Sequence, residues 1–526
     1  MKRNKNVFIS VVMIVMLVLA ACSGGGGDKK EGAKTTDGGK NPAESRGNEI
    51  IVGITSDPQS WDPIDTFLLD WSTVAISVFE GLVERDLDLE LKPGLAESWE
   101  YLDDSTIEFK LRQGVVFHNG EPFNADAVKF TFDRLLGEEG QKGPQYSNYA
   151  SIESVEVKDE FTVIMKLNAP DPVLLTKLSG YGAVIVPPGY VTEVSDEEFN
   201  NKPVGTGPFK MTGYKRDQEV LLEKNENYWK EGLPKLDKVT FKVIPEASTR
   251  LAELQTGKID IMKRVEVAQA DTVKETNFVK LEEVGTPTVY SIRFDTAKAP
   301  FDKKEVRQAV NYAINKEELI EQILGGYGLP ISTFQSDLSF GNNPDLKPYP
   351  YDPEKAKELL KKAGVAEGTQ IEAFIPGNDG NFKEITQAIA FYLEEVGLKV
   401  NINSVDVTTM NSDLIPQGDA GHMYRQGWGG WTLDFDNTAY LMYHEGEQWN
   451  PSFKDEKVEE LLAAQRATVD QDERHKIFME LTTVLYDLAP EVNLYQTVDL
   501  YAVNERVENF QPPHEDRMRL EEVSVK

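Results

Sequence analysis

Cys22 is the only cysteine in the 526-residue chain, and this limits what the chain can fold into. Disulfide frameworks and thiolate metal sites each need at least two cysteines, so neither can stabilise this protein. Basic residues precede an apolar run over 7–21, and small residues lead directly into Cys22. The run is shorter than the about 20 residues of a membrane-spanning helix. This pattern is typical of an export signal that is cleaved before a lipid-modified cysteine.

We therefore predict that residues 1–21 are removed and that Cys22 carries a diacylglyceryl anchor. A short transmembrane anchor is the alternative interpretation of the same run. Residues 22–48 are rich in Gly, Ser, Thr, Lys and Asp and contain almost no apolar side chain, so they cannot form a core. They are predicted to be a flexible tether that holds the folded body at the outer face of a membrane.

Acidic residues dominate the charge of the chain. Lys and Arg total 56 against 88 Asp and Glu, which gives a net charge of -32. Such a surface repels the phosphates of nucleic acids, so we expect no nucleic-acid partner. The length and the 40% hydrophobic content predict two to four globular domains.

Strands and helices are both predicted along the body, which indicates an α/β architecture with more than one lobe. Alternating apolar residues predict strands at 49–54, 106–111, 154–157, 161–167 and 239–244. Further on, Asp352 and Pro353 open a helix that Gly364 ends. A strand at 370–375, a helix at 382–396 and a strand at 398–402 then form a predicted βαβ unit.

Helix-start signals lie between the strands. Asn124 is the predicted N-cap of a helix with one apolar stripe. Asp302 with Glu305, and Asn315 with Glu318, resemble capping boxes. The stripe comprises Val128, Phe132, Leu135 and Leu136.

No strong catalytic motif is present: the chain lacks G-x-x-x-x-G-K-[ST], H-E-x-x-H and G-x-S-x-G. Acidic pairs such as Asp103 and Asp104 are interpreted as solvated faces. His422 and His444 have no third histidine nearby, so we interpret them as surface or hydrogen-bonded groups instead of metal ligands. The sequence therefore offers no obvious enzyme, and we expect neither a metal nor another cofactor.

The segment 423–444 combines aromatic, glycine and acidic residues in a way that suits neither a regular helix nor a strand interior. Trp428 and Trp431 offer apolar walls with one donor each, and Asp434 or Asp436 can receive a cation. One interpretation is a ligand site for an ammonium group. In the other, both tryptophans belong to the core and one aspartate caps a helix that begins near Asn437, with Asp436 the favoured cap.

A second aromatic and acidic cluster covers 60–71, where Trp61, Asp70 and Trp71 are candidates for a cleft wall. For Trp61 we favour packing beneath a turn that Asp62 and Pro63 form.

Several blocks resemble the extracellular solute-binding proteins of ABC importers, in the large class that takes up peptides, nickel complexes, opines and glutathione. They are VFEGLVERD to TFDRL at 78–135, VGTGPFKM at 204–211, NENYWKEG to GKIDI at 225–261 and VRQAVNYAINKEELIEQILGGYG at 306–328. The resemblance covers the chain after the tether. It implies a monomeric, lipid-anchored receptor outside the cell that delivers its solute to an ABC permease.

The resemblance also implies a type II periplasmic-binding-protein fold, in which two lobes joined by a two-strand hinge close on a ligand. Lobe I would comprise 49–86, 203–298 and 493–526. The inserted subdomain of lobe I would be 87–202, and lobe II would be 299–492.

Peptide-binding members of the class have a W-x-x-D segment that supplies an indole wall and a carboxylate for the peptide ammonium group. Here Trp431 to Asp434 matches it, which makes Asp434 the leading site residue. The other predicted ligand-binding residues come from the same aromatic segment, the first-lobe wall and the return strand at 493–495. They are Tyr424, Arg425, Trp428, Leu69, Asp70, Trp71 and Tyr495.

One departure concerns the loop 377–381, where dipeptide-selective members carry an arginine for the ligand carboxylate. This loop has none, so we expect longer peptides, glutathione-like ligands or solutes with an uncharged tail. Arg425 is a candidate for the missing charge. The alternatives are a nickel-chelate carrier that uses His422 or another histidine, and a secreted hydrolase.

Overall fold

Strands alternate with helices over the body of the chain, in agreement with the predicted α/β class. The computed structural model describes residues 41–58, 60–66, 69–377 and 380–526. The predicted signal peptide, Cys22 and the tether as far as residue 40 lie outside the described residues. In the described part, no helix has both the length and the apolar character that crossing a bilayer requires.

The strands are β1 (Glu49–Ile54), β2 (Val83–Arg85), β3 (Leu91–Pro93), β4 (Ala96–Asp103), β5 (Thr106–Leu111), β6 (Ile152–Asp159), β7 (Thr162–Leu167), β8 (Phe209–Lys215), β9 (Glu219–Lys224), β10 (Lys238–Val243), β11 (Ile261–Met262), β12 (Val279–Phe294), β13 (Gly328–Pro330), β14 (Thr369–Pro376), β15 (Leu398–Val405), β16 (Met423–Gly429), β17 (Glu491–Asn504), β18 (Val507–Glu508) and β19 (Ser524–Val525).

The α-helices are α1 (Leu69–Ala75), α2 (Ala125–Leu136), α3 (Tyr146–Tyr149), α4 (Leu174–Leu178), α5 (Pro188–Glu193), α6 (Asp196–Asn201), α7 (Ala247–Gln255), α8 (Ala270–Lys274), α9 (Lys304–Ala313), α10 (Lys316–Ile323), α11 (Pro353–Lys362), α12 (Gly380–Glu395), α13 (Val407–Thr409), α14 (Phe435–Tyr443), α15 (Glu456–Ala467) and α16 (Gln471–Leu488).

Two long antiparallel strands, β12 and β17, lie at the centre of the main sheet. The main sheet has the order β15-β14-β16-β12-β17-β11-β1-β10-β9-β8, and β13 pairs with β17. With 16 residues, β12 spans about 50 Å. Its register against β17 shifts between Gly285 and Val289. The irregularity lies where the sheet passes from strands of the segments predicted as lobe I to strands of the segment predicted as lobe II, so this pair is the candidate for the predicted two-strand hinge.

The segment predicted as the inserted subdomain contains a separate antiparallel sheet with the order β4-β5-β7-β6. Helix α2 packs on this sheet, and Val128, Phe132 and Leu135 of its stripe are fully buried. The side chain of Asn124 accepts a hydrogen bond from the backbone N–H of Ala127, so the predicted N-cap is confirmed. Burial of the stripe and capping of the helix together fix α2 on this sheet.

The βαβ unit of lobe II follows the prediction. Strands β14 and β15 are parallel and α12 connects them. Asp352 caps α11 at the backbone N–H of Lys355, and Gly364 follows the helix with φ +71°. Asn315 caps α10, but Asp302 does not cap α9, since that helix starts at Lys304 and its N-cap position is Lys303.

Glu80 is a partly buried carboxylate in the segment predicted as lobe I. Trp229 Nε1 and Thr206 Oγ1 donate to its Oε2 over 2.9 and 2.7 Å, and the Tyr228 hydroxyl donates to Oε1 over 2.9 Å. Burial raises the pKa of Glu80 to about 7, although these donors and the charge of Lys230 act in the opposite direction. The hydrogen bonds of Glu80 therefore connect the loop before β8 with the segment after β9. Burial of the charged form of Glu80 is unfavourable and opposes this contribution.

This raised pKa predicts a specific pH dependence of stability. In the folded protein Glu80 binds a proton up to about pH 7, whereas its ordinary value is 4.5, so the free energy of unfolding falls as pH rises between these values. The shift corresponds to on the order of 3 kcal/mol. Glu80→Gln removes this contribution, so denaturant titrations at several pH values should give the variant a flatter profile. Parallel profiles for the two proteins would contradict the assignment.

Candidate solute-binding cleft

A cavity of about 600 Å³ lies between the inserted subdomain and lobe II. Its walls come from two distant parts of the chain. The inserted subdomain contributes Pro144, Ser147, Asn148 and Tyr181, and lobe II contributes Gly427, Trp428, Gly429, Trp431, Asn437, Tyr440, Leu441, Glu447 and Arg466. The volume lies within the range of small-molecule sites.

A second cavity of about 220 Å³ lies beside the β12–β17 connection and shares Gly429 and Trp431 with the first. We call it the hinge cavity and the larger one the main cavity. Polar and charged groups line it, among them Arg264, Thr288, Thr497, Asp499, His514, Glu515 and Asp516. The two cavities adjoin at the turn that follows β16.

The segment 423–444 is more regular than predicted. Residues 423–429 form β16 between β12 and β14, and residues 435–443 form α14. The glycines serve close packing instead of breaking the strand: a Cβ at Gly427 would stand 2.5 Å from the ring of Tyr290. Only the turn 430–434 is irregular, and Leu433 has a φ of +52° there.

Trp431 lies on this turn and packs across to lobe I. It is 5% exposed, and its ring lies 5.9 Å from that of Tyr181. Its edge fits over Gly180, where a Cβ would come within 2.5 Å of the indole. Arg85 of lobe I also donates to the carbonyl oxygen of Thr432 over 2.9 Å. Trp431 is thus both a cavity wall and a contact between lobes.

Asp434 is held by the protein itself. Arg474 of α16 donates to both of its oxygens, over 2.6 and 2.7 Å, and the Arg474 side chain is completely buried. Burial raises the pKa of Asp434, while the bonds from Arg474 oppose that rise. The carboxylate also caps α14 by accepting from the backbone N–H of Asp436. The structure therefore gives no support to Asp434 as the ammonium ligand, because both oxygens are engaged and neither cavity includes it.

The favoured helix cap was also wrong. Asp436 lies in the first turn of α14, one residue after the start, and it accepts from Arg466 Nε over 2.7 Å. Burial raises its pKa, but the charge of Arg466 and the bonds from Arg466 and Gln465 outweigh this and lower the pKa overall. The guanidinium of Arg466 lies 3.4 Å from the ring centre of Tyr440, so the pair shapes one wall of the main cavity.

Arg425 lines neither cavity, but it contacts one lining residue of each. Its guanidinium carbon is 4.6 Å from the ring centre of Tyr290, which lines the hinge cavity. A Cβ at Gly427, which lines the main cavity, would be 3.3 Å from Arg425 Nη2. The second aromatic contact is Phe382, at 5.2 Å. Arg425 therefore remains the candidate for binding a ligand carboxylate, because the loop 377–381 has no arginine for that role.

The other residues predicted to form walls of the cleft lie in different surroundings. Trp428 lines the main cavity. Tyr424 and Tyr495 are 2% and 6% exposed, line neither cavity and pack in lobe II cores, so they are corrected to core residues. Trp71 is 3% exposed, stacks on Phe79 at 6.1 Å and lines neither the main nor the hinge cavity, so its role as a cleft wall stays a prediction. The side chains of Leu69 and Asp70 lie outside what the structure describes.

Sequence reasoning missed several residues of the cavities. Tyr181 and Asn148 belong to the segment predicted as the inserted subdomain. Tyr440 lies within the segment 423–444 but was not named as a site residue, and Glu447 and Arg466 follow that segment. The single usable signal was helical spacing, which puts Tyr440 on the same face as residues 436 and 437. Residues of the predicted inserted subdomain reach the main cavity through tertiary contacts, and no local sequence pattern indicates those contacts.

The histidines do not form a metal site. His422 Nδ1 accepts from the backbone N–H of Glu372, and His444 pairs with Glu459. Burial lowers the pKa of His422. Within the described ranges, no group of three or more His, Cys, Asp or Glu residues is arranged to hold a metal ion.

Comparison with known proteins identifies the family and the fold. The family model for bacterial extracellular solute-binding proteins, family 5 Middle, matches residues 90–450. The glutathione-binding protein GsiB of Pectobacterium atrosepticum is 31% identical over 457 residues, which cover 85% of this chain and 88% of GsiB.

Solved structures show the same fold. HbpA2 from Haemophilus parasuis superposes with a TM-score of 0.83 at 25% identity, over 91% of this chain and all of HbpA2. DppA from Helicobacter pylori, solved in complex with the peptide STSA, gives a TM-score of 0.74 at 26% identity, over 91% and 98% of the two chains.

The fold and cleft are those of a periplasmic-type binding protein of an ABC importer. The chain belongs to the bacterial extracellular solute-binding proteins, family 5. The predicted family and fold class are thereby confirmed. Proteins of this family bind solutes for a transporter outside the cytoplasm and are not enzymes.

The pairing of Asp434 predicts a defect in stability. Asp434→Asn leaves Arg474 buried without its partner, which should lower the free energy of unfolding by about 3 to 5 kcal/mol. Asp472→Asn, the same change on the exposed first turn of α16, is the matched control and should have little effect. Urea unfolding measures both. An Asp434→Asn protein of unchanged stability that no longer binds peptides would instead return Asp434 to the ligand site.

Proposed function

We propose that the protein is a lipid-anchored receptor that captures a peptide or peptide-like solute in the main cavity and delivers it to an ABC permease. The observation that carries this proposal is that two distant parts of the chain each contribute aromatic rings to one cavity. Tyr181 comes from the inserted subdomain, and Trp428 and Tyr440 come from lobe II. Such rings bury apolar parts of a solute and still offer polar edges.

The polar groups suit the peptide unit. Asn148 and Asn437 line the main cavity, and side-chain amides can both donate to and accept from a peptide group. Arg425, which contacts one lining residue of each cavity, is proposed to meet a ligand carboxylate, since guanidinium groups bind carboxylates with two parallel hydrogen bonds.

The relatives support the same class of solute. GsiB is named a glutathione-binding protein, and glutathione is a small peptide-like thiol. DppA from Helicobacter pylori was solved with a four-residue peptide. We therefore propose short peptides and glutathione-like compounds as the substrate class.

A nickel chelate is the second candidate, because His514 lines the hinge cavity. Its Nδ1 lies 2.7 Å from the carbonyl oxygen of Gly285, so Nδ1 donates and Nε2 keeps the lone pair that a metal needs. His422, the histidine first considered, lines neither cavity.

A retention experiment tests the proposed substrate class. The mature protein is incubated with reduced glutathione and an equimolar set of peptides of two to five residues, passed through a gel-filtration column and analysed by mass spectrometry. Peptides or glutathione should elute with the protein, and Trp428→Ala should retain them less because one wall is removed. A parallel arm contains nickel with free L-histidine. Retention of nickel–histidine alone would replace the peptide proposal.

The lipid anchor forms a separate part of the proposal and rests on the sequence around Cys22. Wild-type cells fed a palmitate analogue should incorporate label into the protein, whereas Cys22→Ala should incorporate none, because the thiol is the acceptor. Ser23→Ala is the control and should be labelled normally. Label that persists without Cys22 would contradict lipidation at this residue.

A further inference from the structure

We propose that Glu447 binds a primary ammonium group of the solute and so selects amine-bearing ligands. This inference rests on the proposed function, because it assigns a selectivity to the same main cavity. Its basis is the distribution of charge around the cleft, in which Glu447 differs from every other carboxylate described there.

The other carboxylates at the cleft are already engaged. Asp434 is bound by Arg474, and Asp436 by Arg466. In the hinge cavity, Glu515 pairs with Arg85 over 2.6 Å and Asp516 with Lys263 over 2.6 Å. Asp499 also takes part in an interaction within the chain. A ligand cation would have to displace a protein partner from any of these groups.

Glu447 lines the main cavity, and its side chain makes no hydrogen bond or ion pair with any other residue that the structure describes. It lies in the turn after α14, where Gly446 has a φ of +94°. Asn450 fixes this turn: it is 5% exposed, and its amide donates to the carbonyl oxygens of Tyr443 and His444 over 3.0 Å each. The carboxylate is therefore presented on an ordered turn before the ligand arrives, which reduces the cost of binding.

The surroundings of Glu447 favour a cation. Trp428 and Tyr440 line the same cavity, and aromatic faces attract ammonium groups. The one basic side chain among the described lining residues is Arg466, whose charge Asp436 balances. Glu447 thus leaves the main cavity with a net negative charge. In a partly desolvated site, a charge-assisted contact to this carboxylate contributes more than a neutral hydrogen bond.

Two kinds of ammonium group have this chemistry, the N-terminal amine of a peptide and the side chain of lysine. A peptide set of two to five residues distinguishes them when each sequence is supplied with a free and with an acetylated N-terminus, and when half of the sequences contain lysine. Retained peptides are quantified by mass spectrometry after gel filtration. The proteins compared are wild type, Glu447→Gln, Glu447→Asp and Glu445→Gln.

Wild type should retain amine-bearing peptides about tenfold or more over acetylated peptides without lysine. Glu447→Gln should lose that preference while it still retains peptides, and Glu447→Asp, which keeps the charge, should preserve part of it. Glu445→Gln is the matched control, because Glu445 pairs with Lys454 outside the cavity. If wild type retains acetylated peptides that contain lysine and Glu447→Gln does not, the site binds side-chain amines. If wild type retains only peptides with a free N-terminus and Glu447→Gln does not retain them, the site binds the α-amine.

An unchanged preference in Glu447→Gln, or the absence of any preference in wild type, overturns the inference and leaves the peptide proposal intact. Failure of wild type to retain any peptide overturns the proposed function itself, so the two failures are distinguishable. Because Glu447 is partly exposed, thermal unfolding should give the same midpoint for Glu447→Gln and wild type.

Discussion

The antiparallel ladder of β12 and β17 is the constraint on which the rest of the structure depends. Because β12 pairs with β16 and β17 pairs with β11, strands from the segments predicted as lobe II and lobe I are parts of one sheet. Strand β16 pairs with the lobe II end of β12, and the turn that follows it therefore emerges at the register shift between the lobes. That position brings Trp431 against Tyr181 and creates the two adjoining cavities.

Buried ion pairs then determine which charges remain for a solute. Arg474 and Arg466 neutralise Asp434 and Asp436 beside α14, and Arg85 connects Glu515 to the turn at Thr432. These pairs order the wall of the cleft, and their geometry depends on burial. Among the residues that line the main cavity, only Glu447 and Arg466 are charged, so few charges are available to discriminate between solutes.

Local patterns predicted the elements well, since the spacing of 128, 132 and 135 and the cap at Asn124 are determined within one helix. They predicted the site only in part. Asp434 has the sequence context of a ligand group, but its partner Arg474 follows forty residues later, and nothing near Asp434 signals that pairing. The burial of Tyr424 could not be predicted for a related reason, because an aromatic residue has the same local pattern in a core as on a cleft wall.

The central claim is that a solute binds between the inserted subdomain and lobe II. A crystal structure of the mature protein with its retained solute tests this most directly. The account predicts density for the solute in contact with Tyr181 on one side and Trp428 on the other. Density confined to a different place, such as the cavity of about 280 Å³ beside Trp61 and Tyr214 on lobe I, would contradict it.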